Sequence, residues 1–453
     1  MSKYNNQSAI RIDPQGFNRR VEAALGLSRG DPSLKKEYIS PVGQGRFSVI
    51  GKLENSVSML QTARMHVNKI KGWLEEMKEF LENDRHHSLW ANIPVSIVNN
   101  FLADRLLKIK AMTETAGFQG KMLFNGDSGV KGEVTGDHLR FVRGSARVIS
   151  SESPGYPLTI YQSPKPATLV GLAQVNQMIL EEESFIAITD GSQEVRYHVK
   201  DDENSESLVM NLQRCLTDHG MDISVFRTKD DHLFFRHNQL GSRTGFQGMS
   251  YHTRLLSGIP GQYRSADPGI DIAGTISSES AHGDGGFLMG DKGNKRTDGL
   301  AVFFDGQVEY AGQIVGYVHT QQNGIIVPLD ATESEMEILS IPALLPEQLA
   351  VGVSNQSGFL DLGMIRGNTE CECRDSLKLI LWSLTYLEFI QDELKWKEKI
   401  YVERAVEMLR STISHHSADE EMLYLSKEKA KDMVSQLRTM LTPATAMNVT
   451  NWR

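Results

Sequence analysis

Val67, Ile70, Leu74, Met77 and Leu81 recur at alternating spacings of three and four, with Glu75, Glu76, Lys78 and Glu79 between them. On a helix this spacing makes one narrow apolar seam and leaves the remaining surface solvated, the pattern of a coiled-coil strand. Leu53, Val57 and Leu60 extend the seam upstream. The pattern therefore predicts a rod from about Lys52 to Asn83, roughly 45 Å long at the α-helical rise. A polar break follows from Asp84 to Ser88, then Pro94, and a second stripe runs through Val98, Phe101, Leu102, Leu106, Ile109 and Met112. Gly117 is the expected C-cap of this second helix, and Asn125-Gly126 after a short apolar run predicts a hairpin turn.

A third stripe lies near the other end of the chain. From Ser376 to Ile413 there is no Gly or Pro for 38 residues, and the seam runs Leu377, Ile380, Leu384, Leu387, Leu394, Tyr401, Ala405 and Met408. Gln391 and Glu398 occupy two further seam positions, while Tyr401 to Arg404 and the glutamates around them read as a solvated face. Long amphipathic rods cannot bury their seams singly, so these should pack together and make the middle of the chain an insertion into a helical stalk. Trp73, Trp382 and Trp396 are expected to pack within that stalk.

The middle has the two-residue period of strands. Phe185 to Gly191 alternates into an Asp-Gly turn and Glu194 to Val199 alternates back. A helix is expected from about Ser205 to Asp218, with strands at Ile223 to Val225 and His232 to Phe235.

Several runs bear a specific resemblance. Ser58-Met-Leu-Gln-Thr-Ala63, Phe118-Gln-Gly-Lys-Met-Leu-Phe-Asn-Gly126, Val351-Gly-Val-Ser-Asn-Gln-Ser-Gly-Phe359, Asp375-Ser-Leu-Lys-Leu-Ile380 and Asp392-Glu-Leu394 resemble the two ends of bacterial flagellins. The likeness continues through Ala418-Asp-Glu-Glu-Met422 to Ala444-Thr-Ala-Met447. In the middle, the strand, strand, helix, strand, strand order is similar to the hook-type motif inserted in flagellins and filament-cap proteins. Asp271 to Ile276, Thr297 to Leu300 and Val302 to Gly306 are similar to another block of such insertions.

The resemblance implies an α+β fold, in which both chain ends form a long α-helical coiled-coil bundle carrying inserted β-rich domains. Its expected division is a divergent, largely irregular segment over 1–50 and a helical stalk with hairpin over 51–150. A hook-type motif domain over 151–260 and a second β-rich insertion over 261–345 follow, then a C-terminal stalk helix over 346–413 and a terminal helical segment over 414–453. Segment 1–50 departs from the family in carrying Pro14, Gly16, Gly26, Gly30, Pro32, Pro41, Gly43 and Gly45, which leave room for one short helix near Phe17 to Leu25. Pro443 likewise falls inside the expected terminal helix.

The implied function is a self-assembling structural subunit of a flagellar filament. Its partners would be copies of itself or other flagellins, an export chaperone and hook-associated proteins. The residues expected to matter are stalk-packing ones: Val67, Ile70, Leu74, Met77, Leu81, Leu102, Ile109, Leu377, Ile380, Leu384, Leu387 and Leu394. Alternatives are a divergent paralogue at the hook–filament junction or cap, and a surface-binding module whose aromatics Tyr197, Phe234 or Tyr251 cluster on one face.

Composition is consistent with that reading. A chain of 453 residues is expected to form two or three domains. A net charge of −9 with dispersed basic residues argues against nucleic acid as a partner. There is no run of about 18 apolar residues and no apolar signal core at Met1 to Ser8, so neither membrane insertion nor a cleaved signal is expected. The resemblance implies an extracellular location at the flagellum, reached through the flagellar secretion channel.

Candidate chemistry is sparse. Cys215 reads as a buried helix residue, and Cys371-Glu-Cys373 as loop thiols spaced too closely for a metal knuckle. His86-His87 and His415-His416 sit at polar breaks, and the glycines at 283–286 and 290–293 lack the lysine or the spaced acids of a phosphate or calcium loop. No catalytic, cofactor-binding or metal residue is expected.

Overall fold

The computed structural model describes residues 41–85, 94–200, 203–330 and 332–415 of the chain, which carry an α+β fold. The segment 1–40, including the expected short helix near Phe17, lies outside the described residues, as do His86, His87 and the terminal segment 416–453. Two compact units divide the chain. Among the described residues, one is formed by 41–69, 325–339 and 387–415, the other by 70–324 and 340–386.

Helix α1, Pro41–Arg85, has 45 residues and is about 67 Å long. It begins well upstream of Lys52, within a stretch expected to be irregular. Proline at the first helical turn lacks an N–H that would be unpaired there anyway. Gly43, Gly45 and Gly51 cost about 1 kcal/mol each, which is too little to break so long an element. Helix α2, Val95–Thr115, ends at Ala116 rather than Gly117. Ala116 is extended and buried, and Gly117 already belongs to strand β1 (Gly117–Phe118), which pairs with β2 (Lys121–Met122). The hairpin turn is therefore Gln119–Gly120, both at positive φ, and not Asn125–Gly126. Gly126 adopts φ +97° in the loop before Val130.

Helix α5, Glu370–His415, is the other long rod, with 46 residues. It starts six residues before Ser376 because Thr369 caps it: its hydroxyl accepts from the Glu372 amide, and Glu372 Oε2 accepts from the Asn368 amide. Cys371 and Cys373 are consequently first-turn helix residues, not loop thiols.

Within the second unit, one sheet holds eight strands: β3 (Val130–Thr135), β4 (Leu139–Arg143), β5 (Tyr156–Gln162), β13 (Ala273–Ile276), β14 (Glu279–Asp284), β15 (Phe287–Gly290), β16 (Ala301–Phe304) and β17 (Gln313–Gln322). Their order is β3-β17-β5-β13-β14-β15-β16-β4. The end strands β3 and β4 are consecutive in sequence, so the sheet curls back on itself. Gly132 of β3 lies against the Phe141 ring of β4, where an added Cβ would come within 2.1 Å of a ring carbon. Leu158, Ile160, Ile276, Leu288, Val302 and Val318 fill its interior. In the glycine-rich stretch 283–286, Gly283 and Asp284 end β14 and Gly285–Gly286 make the turn to β15.

The expected strand, strand, helix, strand, strand order is observed: β7 (Phe185–Thr189), β8 (Glu194–His198), α4 (Ser205–Asp218), β9 (Ile223–Arg227) and β10 (His232–Leu240). These strands divide between two sheets, β6-β10-β9 and β12-β11-β7-β8, completed by β6 (Pro166–Gln174), β11 (Gln247–Ser250) and β12 (Arg264–Ser265); the short helix α3 (Gln177–Glu182) precedes β7. The β7–β8 turn follows its sequence: Asp190 Oδ1 accepts from the Ser192 and Gln193 amides, and Gly191 takes φ +88°. In α4, Leu208, Leu212 and Leu216 recur every four residues, all fully buried. The helix starts with a capping box between Asn204 and Ser207. Its Gln213 closes the outer edge of β9, accepting from the Val225 amide at 2.8 Å and donating to the Ile223 carbonyl at 3.4 Å. Cys215 is only partly buried, and burial raises its thiol above the ordinary value.

The last hairpin, β18 (Ile325–Pro328) and β19 (Met336–Leu339), belongs to the first unit.

Candidate self-association surface

The seam residues of the two long helices are inward. Val67, Ile70, Leu74, Met77 and Leu81 on α1, Leu102 and Ile109 on α2, and Leu377, Ile380, Leu384, Leu387 and Leu394 on α5 are all buried. The polar seam positions pair with polar partners. In the first unit, Glu398 accepts from Arg64 Nη1 at 2.5 Å and Gln61 Nε2 at 2.9 Å, and Gln391 donates to Asn68. As residue number rises along α5 its partner's number falls along α1, so these segments run antiparallel. The buried Glu398 fixes register, because any slip would leave its carboxylate without Arg64 and Gln61, while the Gln391–Asn68 bond lies at the exposed margin of the seam.

Three glutamates of the β18–β19 hairpin add ion pairs in the same unit: Glu333 with Lys52 at 2.5 Å, Glu335 with Arg404 at 3.6 Å and Glu337 with the buried Lys397 at 2.8 Å. The stretch Tyr401–Arg404 is therefore no solvated face. Tyr401 and Val402 are buried and Arg404 is ion-paired. Glu54 faces inward on α1 among Ile50, Leu53 and Val57, and burial pushes its carboxyl up to about 8. In the second unit, Arg105 of α2 pairs with Glu76 of α1 at 2.5 Å and lies over the Phe101 ring, which stacks on Phe80.

The opposite face of α5 is unusual. Trp382, Phe389 and Trp396 recur every seven residues at 39, 55 and 59% exposure, with Leu381 beside them at 40%. Seven residues is close to two helical turns, so the three rings form one outward stripe. Of the tryptophans expected inside the stalk, only Trp73 is partly buried; Trp382 and Trp396 face out. Trp382 stacks on Tyr386 of the same helix, with centroids 5.7 Å apart, and the seam on the other side of the helix is buried.

The chemistry-bearing residues make local contacts. Among the described residues, no three His, Cys, Asp or Glu side chains are placed to hold a metal ion. Ser151 Oγ lies 3.0 Å from His319 Nδ1 and accepts from the Thr320 amide, tying a loop to β17. Lys378 of α5, Asp222 and Ser354 form a compact polar knot, with Lys378 Nζ 2.7 Å from Asp222 Oδ2 and 3.0 Å from Ser354 Oγ. Burial raises the Asp222 carboxyl, but the Lys378 charge and hydrogen bonds from Lys378, Ser354 and Asn238 outweigh it, leaving the group below its ordinary value.

Tyr197, Phe234 and Tyr251 do not cluster. Tyr197 is buried and donates to Glu203 Oε1 at 2.5 Å, Phe234 neighbours Phe226 on one sheet, and Tyr251 stacks on Phe185 of the other. Among the described residues, no helix is long and apolar enough to cross a membrane.

No protein-family model and no curated protein matches this chain. Among solved structures, FliC from Burkholderia pseudomallei is similar over 76% of this chain and 99% of its own, at 14% identity and a TM-score of 0.27. A TM-score that low does not establish a common fold.

Proposed function

We propose that this chain is a non-catalytic structural subunit of the flagellin type, which assembles with copies of itself or other flagellins outside the cell. Two lines support the reading. One is the run of flagellin-like motifs at both ends, from Ser58 to Gly126 and from Val351 to Met447. The other, which carries most weight, is the outward row Trp382, Phe389 and Trp396 on α5. A helix apolar on two opposite sides suits a coiled-coil stalk that folds on one side and meets a neighbouring subunit on the other. Repeated heterologous contact through such a row builds an open helical array. Export chaperones and hook-associated proteins follow as partners from the same resemblance.

The test is sedimentation velocity with negative-stain microscopy under conditions that polymerise ordinary flagellin. The wild-type chain is expected to form filaments, and a Trp382→Ser, Phe389→Ser, Trp396→Ser variant to remain monomeric with unchanged helical content. A wild-type monomer under all such conditions would overturn the filament reading and favour a junctional or cap paralogue. Filaments from the triple variant would remove the stripe as the contact.

A further inference from the structure

The sheets β6-β10-β9 and β12-β11-β7-β8 end in four outer strands, β6, β9, β12 and β8. A strand edge left open presents unpaired N–H and C=O groups to any other chain, so it is normally covered or kept short. Gln213 covers β9. Along β6, the Thr168 amide donates to the Asp267 carbonyl at 3.1 Å and accepts the Asp267 amide at its own carbonyl at 2.7 Å, while the Leu172 amide donates to the Leu255 carbonyl at 2.9 Å. β12 has only two residues. β8, five residues long, is the exception.

The two ends of the β7–β8 hairpin show which backbone groups of β8 are already used. At the turn the Asp190 amide donates to the Gln193 carbonyl at 3.4 Å, and at the far end the Val199 amide donates to the Ser184 carbonyl at 3.2 Å. Bonded positions alternate along an antiparallel pair. With Ile188 opposite Val195 and Ile186 opposite Tyr197, it is therefore Val195 and Tyr197 that bond to β7. The N–H and C=O groups of Glu194, Arg196 and His198 point away from the sheet, and among the described residues nothing bonds them. The side chains alternate as well: Val195 and Tyr197 are buried, while Glu194, Arg196 and His198 are exposed on the opposite face.

The geometry points to the β8 edge as the seat of β8 from a second copy of this chain, added antiparallel about a two-fold axis normal to the sheet. Two identical open edges satisfy each other's N–H and C=O groups in this arrangement, and the apolar sides of both strands stay on one side of the joined sheet. Bonding requires Glu194, Arg196 and His198 to face the same set in the second copy. Registers that put Glu194 opposite Glu194, or Arg196 opposite Arg196, oppose like charges. The register between them puts Glu194 opposite Arg196 of the second copy at both ends of the contact, with the two Val195 residues adjacent on the apolar side. The ion pair between Glu194 and Arg196 within each strand is kept, so the four charges alternate around a square. The Tyr263 hydroxyl and Arg196 hold the Glu194 carboxyl below its ordinary value, which keeps it charged at neutral pH. The pairing uses no residue of α5 and does not rest on the filament reading.

Sedimentation equilibrium of the full chain carrying Trp382→Ser, Phe389→Ser and Trp396→Ser, which removes the outward aromatic row, tests the edge by itself. Strands this short exchange about four backbone bonds, so the dimer is weak and is measured at up to about 1 mM chain. This chain is expected to dimerise. Adding Arg196→Glu, which sets like charges opposite each other, is expected to weaken dimerisation at least about tenfold. Adding Glu194→Arg as well exchanges the two charges and is expected to restore it to within about threefold, with far-UV circular dichroism unchanged throughout. A monomer at about 1 mM, a dimer indifferent to Arg196→Glu, or a charge-exchanged variant that stays monomeric would each overturn the proposal.

Discussion

Glu54→Gln should stabilise the folded chain, and by an amount that depends on pH. The folded carboxyl has an ordinary value of 4.5 raised to about 8 by burial. Between these limits the folded state keeps a proton that the unfolded state has released. Stability must therefore fall as pH rises, by about 1.4 kcal/mol for each pH unit. A pH of 7 is 2.5 units above the ordinary value of 4.5 that the unfolded group keeps, which puts the penalty at about 3 kcal/mol. It is absent below pH 4.5 and reaches its full extent above pH 8, where the folded carboxyl also ionises. Glutamine keeps the shape of the protonated acid and cannot ionise, so the variant removes this slope. Urea unfolding followed by far-UV circular dichroism at pH 5, 6, 7 and 8 reads it directly. Wild-type stability should decline across the series relative to Glu54→Gln, the gap between the two curves narrowing to about 1 kcal/mol or less at pH 5. Parallel curves, or a variant less stable than wild type at pH 8, would refute the assignment of Glu54 as a neutral, desolvated acid.

Other variants probe other contacts. Arg64→Ala should cost about 3 kcal/mol, since it leaves Glu398 buried with Gln61 as its remaining partner across the helices; thermal unfolding would show the loss. Lys378→Met should destabilise by about 2 kcal/mol. It should also flatten the acid limb of the stability curve: the lowered Asp222 carboxyl contributes stability above its ordinary 3.8 that is lost as pH falls further. Gly132→Ala should cost at least 1–3 kcal/mol, because its methyl would meet the Phe141 ring; an unfolding midpoint equal to wild type would contradict the close approach of β3 and β4.

The helical parts were the most legible because a three-four spacing encodes a face directly. Even the exceptions in the seam, Gln391 and Glu398, were visible as polar residues at apolar positions, though their partners Asn68 and Arg64 lie more than 300 residues away. The start of α1 was hidden because Pro41, Gly43 and Gly45 act as breakers only in short elements. The start of α5 was readable in Thr369 and Glu372, a capping pattern that the apolar stripe alone does not contain. The outward stripe was present in the sequence but appeared as packing tryptophans, since spacing fixes a face without saying what covers it. Sheet order was beyond reach: β5 pairs with β13 and β17 across more than a hundred residues. Glu194 likewise meets Tyr263 through non-local pairing that no local pattern records.

Gln213 has a consequence wherever copies of the chain are crowded. An unsealed β9 would offer its backbone to any neighbouring copy and invite strand addition and aggregation. By satisfying Val225 and Ile223 from within the same chain, Gln213 closes that edge. If the chain assembles as proposed, a sheet closed in this way can be lengthened, replaced or diversified without altering how subunits stack.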